Sequence, residues 1–168
     1  MDLTRVRRGD LIAAASGVLL FVFMFLDWFE PHVSGGSAPV AGGGNAWETL
    51  DVIPIVVVIA VVAALGQPLL RTSGKRENLP IPGSVIVAAL GIVAALLVLY
   101  RIIDPPGAGE SAGLEIDVTR KIGAYLGFFA AAGIAVGGYL AMQEEGTSFA
   151  AAADSLAERS RGARPGGA

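Results

Sequence analysis

LPIPGSVIVAALGIVAALLVLYRIIDPP, residues 79–106, is the stretch whose reading decides the fold. Residues 79–100 carry no charge. At about 1.5 Å of rise per residue, a helix here crosses a hydrocarbon core of about 30 Å. Arg101 closes the run, where its long side chain can snorkel to headgroups. Asp104-Pro105-Pro106 then ends the helix, because proline cannot continue it. Three other apolar runs resemble it, and the spans fall at about 11–28, 52–70, 82–103 and 120–142. The expected fold is all-α, an integral membrane antiparallel four-helix bundle.

Composition agrees. Hydrophobic residues make up 54% and charged ones 16% of 168 residues, with mean hydropathy +0.64, which is a membrane composition. The 23 glycines suit helices that approach closely in lipid. A net charge of −3 gives no reason to expect nucleic acid, and none is expected as a partner. The chain contains no cysteine, which excludes disulfides, thiol redox chemistry and cysteine metal sites. With His32 as the one histidine, bis-histidine haem ligation is excluded too.

Residues 1–10 form a short basic terminus with Arg5, Arg7 and Arg8, and Asp10 can N-cap the first helix. A basic start before an apolar run also describes a signal peptide, but this run is long and ends in Asp27-Trp28. An uncleaved first helix is the better reading. Residues 31–45, PHVSGGSAPVAGGGN, read as a flexible loop without structure of its own. Asn45-Ala-Trp-Glu48 has the capping-box arrangement, so a helix starts near Ala46 and bends at Pro54 into the second span. Residues 107–117 read as a second flexible, acidic loop. In the tail, 143–168, Phe149, Ala153 and Leu156 fall at the spacing of a short surface helix, and the final GARPGGA is expected to be disordered.

Lys and Arg set the orientation. The first ten residues, the connection near 67–78 and the tail carry three basic residues each, and the remaining three, Arg101, Arg120 and Lys121, hug helix ends on the other side. This bias predicts a multi-pass inner-membrane protein with both termini cytoplasmic.

On the fourth span Gly123, Gly127, Ala131 and Gly138 share a small-residue face. Such a face serves either packing inside the chain's own bundle or a seam with a second copy or another membrane protein. At the outer rim Asp27 and Asp104 follow helix carboxyl ends, where the macrodipole disfavours them. Arg101 and Arg120 are their expected ion-pair partners, with Arg101 held between Asp27 and Asp104; a cation or polar-ligand site at the mouth is the alternative. DWFEPH offers His32 beside two carboxylates, too little for a zinc site. The spans hold no deep ionisable residue, which argues against proton relays and ion-coupled transport. Nor does the sequence contain a nucleophile–base pair or phosphate loop, so no enzyme, metal or cofactor is expected.

NAWE before the second helix, YRIIDPPG after the third and RKIGAYLG opening the fourth give the chain a family resemblance over about residues 7–142. It resembles small four-span membrane proteins of actinobacterial type, an unknown-function family. That resemblance implies topology and brings no activity or site residues. The layout also faintly resembles the claudin-like arrangement, but the loop cysteine pair is missing and the first loop looks too short and glycine-rich for a sheet. The expected function is a non-catalytic membrane protein, either an accessory or scaffold subunit or a self-associating structural protein, with the lipid bilayer and a second copy or membrane protein as partners. The alternative is a small oligomeric channel or transporter.

Overall fold

A computed structural model describes residues 7–34, 43–50, 52–72, 82–111 and 114–162. In chain order its elements are α1 (Arg8–Phe23), β1 (Asp27–Val33), β2 (Gly44–Asn45), α2 (Ala46–Thr49), α3 (Ile53–Thr72), α4 (Gly83–Ile103), β3 (Gly109–Ser111), β4 (Leu114–Arg120), α5 (Ile122–Glu145) and α6 (Phe149–Gly162). Three stretches, Ile53–Arg71, Gly83–Ile103 and Ile122–Glu145, are long and apolar enough to cross a membrane.

The small face of α5 decides the packing. Helix α5 lies between α1 and α4, and α3 packs against both of those from the other side. Gly137 meets the backbone of Ala13, and Gly133 meets the Ser16 side chain, both on α1. On the other flank a Cβ at Gly138 would stand 2.5 Å from the Ala88 nitrogen, and Gly91 of α4 abuts the Ala135 backbone in return. Only hydrogen fits at these positions, so backbones touch and many weak dispersion contacts add up. Helix α5 ends at Gly146, whose φ of +67° is the left-handed conformation that suits glycine.

The expected all-α fold needs correcting. An antiparallel four-stranded sheet, ordered β2-β1-β4-β3, covers one end of the helices. Residues 31–45 and 107–117, read from sequence as structureless, supply much of it. The described parts of both stretches find their backbone partners in each other: Phe29 pairs with Arg120, Pro31 with Val118 and Val33 with Ile116. Pro31 is tolerated because Trp28 O accepts from Lys121 N at 2.8 Å. By strand alternation the backbone of residues 28, 30 and 32 faces β4, and the missing N–H of Pro31 faces away.

Trp28 joins the sheet to the helices. Its indole is wholly buried, its Nε1 donates to Phe23 O at 2.8 Å, and its ring fills the slot that Gly123 and Gly127 leave on α5. At these two glycines the small face therefore receives an aromatic ring and not another helix backbone. Helix α1 ends at Phe23, earlier than the expected span limit, so that the chain can turn Trp28 inward. The capping box at Asn45 forms as expected: Asn45 Oδ1 accepts from Trp47 N at 2.9 Å and Glu48 N at 3.2 Å, and Asn45 N donates to Glu48 Oε2 at 3.3 Å. It starts only the four-residue α2, and α3 begins anew at Ile53.

Overpacking at the slot is the direct test. Gly127→Leu should drive the side chain into Trp28 and cost about 1–3 kcal/mol or more, and Trp28→Ala about 3–5 kcal/mol. Phe129→Leu, at a position 68% exposed, should leave detergent melting almost unchanged. Equal melting of the Gly127 and Phe129 variants would show that the slot does not hold the ring.

Candidate functional site: the charged end of the helices

At the end away from the sheet, the first turns of α1 and α4 meet the last turns of α3 and α5. Four charged and two polar side chains converge there. Arg71 of α3 stands at the centre: its Nε lies 3.1 Å from Asp10 Oδ2, its Nη2 pairs with Glu145 Oε1, and Nε and Nη2 contact Gln67 Oε1 at 3.3 and 3.2 Å. Glu145 also accepts from Ser84 Oγ of α4 and lies 3.3 Å from Arg7 Nη1. Thr147 Oγ1 reaches Glu145 Oε2 at 3.5 Å, and Arg7 Nη1 reaches Ala141 O at 3.5 Å.

Asp10, Gln67 and Ser84 are buried, with Asp10 only 2% exposed. Asp10 was read from sequence as the N-cap of the first helix. It lies instead inside the first turn, accepting from Arg7 N at 3.3 Å with the same oxygen that faces Arg71. Burying a carboxylate is costly unless it is paired and hydrogen-bonded, and Asp10 is both. The two arginines, Arg7 and Arg71, balance the two carboxylates, Asp10 and Glu145, so the buried group is neutral as a whole. Chemically this is a clamp across four helices, with every acceptor matched by a cation or hydroxyl.

Sequence reasoning passed over Gln67, Arg71, Ser84 and Glu145 as a group. The available signal was topological. Helices that alternate in direction bring a first turn, a last turn, a first turn and a last turn to one end, and each of these carries a polar residue. The fourth helix also runs to Glu145, one turn beyond the expected limit at 142.

The rim residues lie at the sheet end. Asp27 opens β1 opposite Asn45. Asp104 accepts from Tyr100 Oη at 3.0 Å, and Arg101 is half-buried in the last turn of α4. Arg120 does not turn to a carboxylate in its printed bonds: its Nε and Nη2 donate to Ile102 O and Ile103 O at 2.8 and 3.2 Å, capping the carbonyl end of α4. Glu30 pairs with Lys121 across β1 and the start of α5, and this pairing holds its carboxyl below the usual range. His32 stands opposite Asp117, which accepts from Ser34 Oγ at 3.1 Å. Of the helix-packing residues, Gly123 and Gly127 face Trp28, Ala131 is fully buried and Gly138 faces Ala88. Among the described residues no three His, Asp or Glu side chains gather as a metal site.

No protein-family model, curated protein or solved structure matches the chain.

Two predictions concern these charges. Removing one partner of the buried pair, as in Asp10→Asn or Arg71→Gln, should cost about 3–5 kcal/mol. The double variant should cost less than the sum, and an additive double-mutant cycle in detergent melting would refute the coupling. The Glu30 carboxyl, depressed by Lys121, supports the fold above the ordinary glutamate pKa, and that support fades as pH falls through the depressed value. Wild type should therefore melt above Glu30→Gln at neutral pH, and the gap should close in acid; a gap that widens in acid would reverse the assignment.

Proposed function

We propose that the chain is a non-catalytic integral membrane protein, a scaffold or accessory subunit, in which α1, α3, α4 and α5 cross the bilayer as a four-helix bundle. The observation that carries this reading is the outward face of the helices. Val18 and Val22 on α1, Ile55, Ile59 and Val62 on α3, Val93 and Leu96 on α4, and Phe129 and Val136 on α5 all stand exposed. A soluble monomer rarely shows an apolar surface of that extent, whereas lipid wets it at no cost.

Both ends support the same placement. Near the sheet, Phe21 and Phe25 stack at 5.3 Å and Phe25 and Trp47 at 6.1 Å, with Tyr100 and Tyr125 also exposed there. Such a belt suits the membrane–water interface. The opposite end carries the charged clamp and, in sequence, most of the basic residues, which places that end in the cytoplasm and the sheet outside. Helix α1, about 24 Å long by its 16 residues, is shorter than the others, and a modest local thinning of the bilayer accommodates it.

The helix interior is filled by Ala13, Ala60, Ala64, Ala94, Ala131 and the glycine contacts. A scaffold needs only such a rigid body. An oligomeric channel would need a polar path, and the described interior gives that alternative less support. Reporter fusions test the topology: residue 43 should report outside and the carboxyl terminus cytoplasm. The chain should also stay in the membrane fraction through an alkaline carbonate wash. A cytoplasmic signal at residue 43, or release by carbonate, would overturn the reading.

A further inference from the structure

Helices α3 and α4 leave a gap near the charged end. It is a groove of about 270 Å³, lined by Val62, Gly66, Gln67 and Leu70 of α3 and by Ile86 and Val87 of α4, among others. Its floor is unusual among the helical glycines. Gly9, Gly17, Gly91, Gly133, Gly137 and Gly138 all press on a neighbour, whereas a Cβ at Gly66 would meet nothing within 4 Å. Glycine at this position does not serve helix contact. It keeps the groove open.

We propose that this groove seats one acyl chain of an anionic bilayer phospholipid, with the phosphate at the Arg71 end. This rests on the membrane placement argued above. The lining is hydrocarbon except for Gln67, whose carboxamide oxygen is already taken by Arg71 Nε and Nη2. A polar ligand would find little to bond inside and would lose its hydration, so the fitting occupant is itself hydrocarbon. Val62 and Leu70 are 63% and 42% exposed, so the groove is bordered by the surface assigned to lipid. Charge selects the headgroup. Arg71 lies one turn beyond Gln67, and the following sequence adds Lys75 and Arg76 against Glu77. Basic groups at the cytoplasmic end of a cleft between spans attract anionic headgroups.

The test uses full-length protein, washed in detergent and offered phosphatidylglycerol or phosphatidylcholine in mixed micelles, with retained lipid counted by native mass spectrometry. Wild type should retain one phosphatidylglycerol per chain and several-fold less phosphatidylcholine. Gly66→Leu should fill the groove and lower phosphatidylglycerol retention several-fold while melting no lower than wild type. Val62→Trp, at an exposed lining position, is the companion should Gly66→Leu fold poorly, and it should also lower retention. Equal retention by wild type and the folded variant, equal retention of both lipids, or none by wild type would overturn the proposal. So would a fall from dimer to monomer in Gly66→Leu, which would make a second copy the occupant. Retention that appears only after Leu79→Ser and Ile81→Ser would make the chain's own connection the occupant, again overturning it. Wild type released by carbonate would sink the membrane reading itself, whereas failure at the lipid step alone would leave that reading standing.

Discussion

The close approach along α5 is the constraint on which the other contacts depend. A helix lined with glycine and alanine has little apolar area of its own to bury, so its affinity for neighbours comes from dispersion at short range. That gain falls steeply with distance, which is why both flanks are in backbone contact: α1 at Gly133 and Gly137, α4 at Gly138. With α1 and α4 drawn onto one central helix, α3 is left to pack across both from the far side. The same small face continues to Gly123 and Gly127, where no helix follows. Trp28 occupies that remainder, and so the strand that begins at Asp27 is carried over the end of the helices.

The two ends are closed by different chemistry. At the sheet end, backbone groups satisfy one another through strand pairing, and Arg120 neutralises the carbonyl end of α4. At the charged end the closure is by side chains, and helix dipoles explain its asymmetry. Asp10 sits in a first turn and Arg71 in a last turn, each at the end its sign prefers. Glu145, in the last turn of α5, has the wrong sign for its position. It is also the residue with the most partners: Arg7, Arg71, Ser84 and Thr147. The unfavourable member is held by the rest.

The helices were legible because a long run without charge has few cheap alternatives in lipid. The sheet was legible in part and was misread. LEIDVTR, residues 114–120, alternates apolar and polar residues with a period of two, and Val118 is buried while Asp117 and Thr119 are exposed. Its acidic residues and the glycines before it suggested a loop, but the period was the better guide. DWFEPHV carried no comparable signal: Pro31 interrupts it, and its burial follows from Trp28 entering a slot on a helix nearly a hundred residues later. Asp10 shows a similar limit. In one dimension it reads as a helix cap, and only the convergence of four helix ends supplies the arginine that makes it a buried ion-pair partner.

Consumption of the small face inside the chain also limits how a scaffold of this kind can meet a partner. A second copy or another membrane protein cannot use the α5 glycines without displacing α1, α4 or Trp28. The free face of α5 instead presents Tyr125, Phe129, Val136 and Tyr139, all large and exposed. Helices meeting through such residues stand about 8–10 Å apart, farther than backbone contact allows, and gain less from each pair of atoms. In lipid, where no hydrophobic drive favours protein over acyl chains, that contact is weak. Specific association would then depend on the ends, where the sheet edge and the charged clamp offer directional groups, more than on the helical walls.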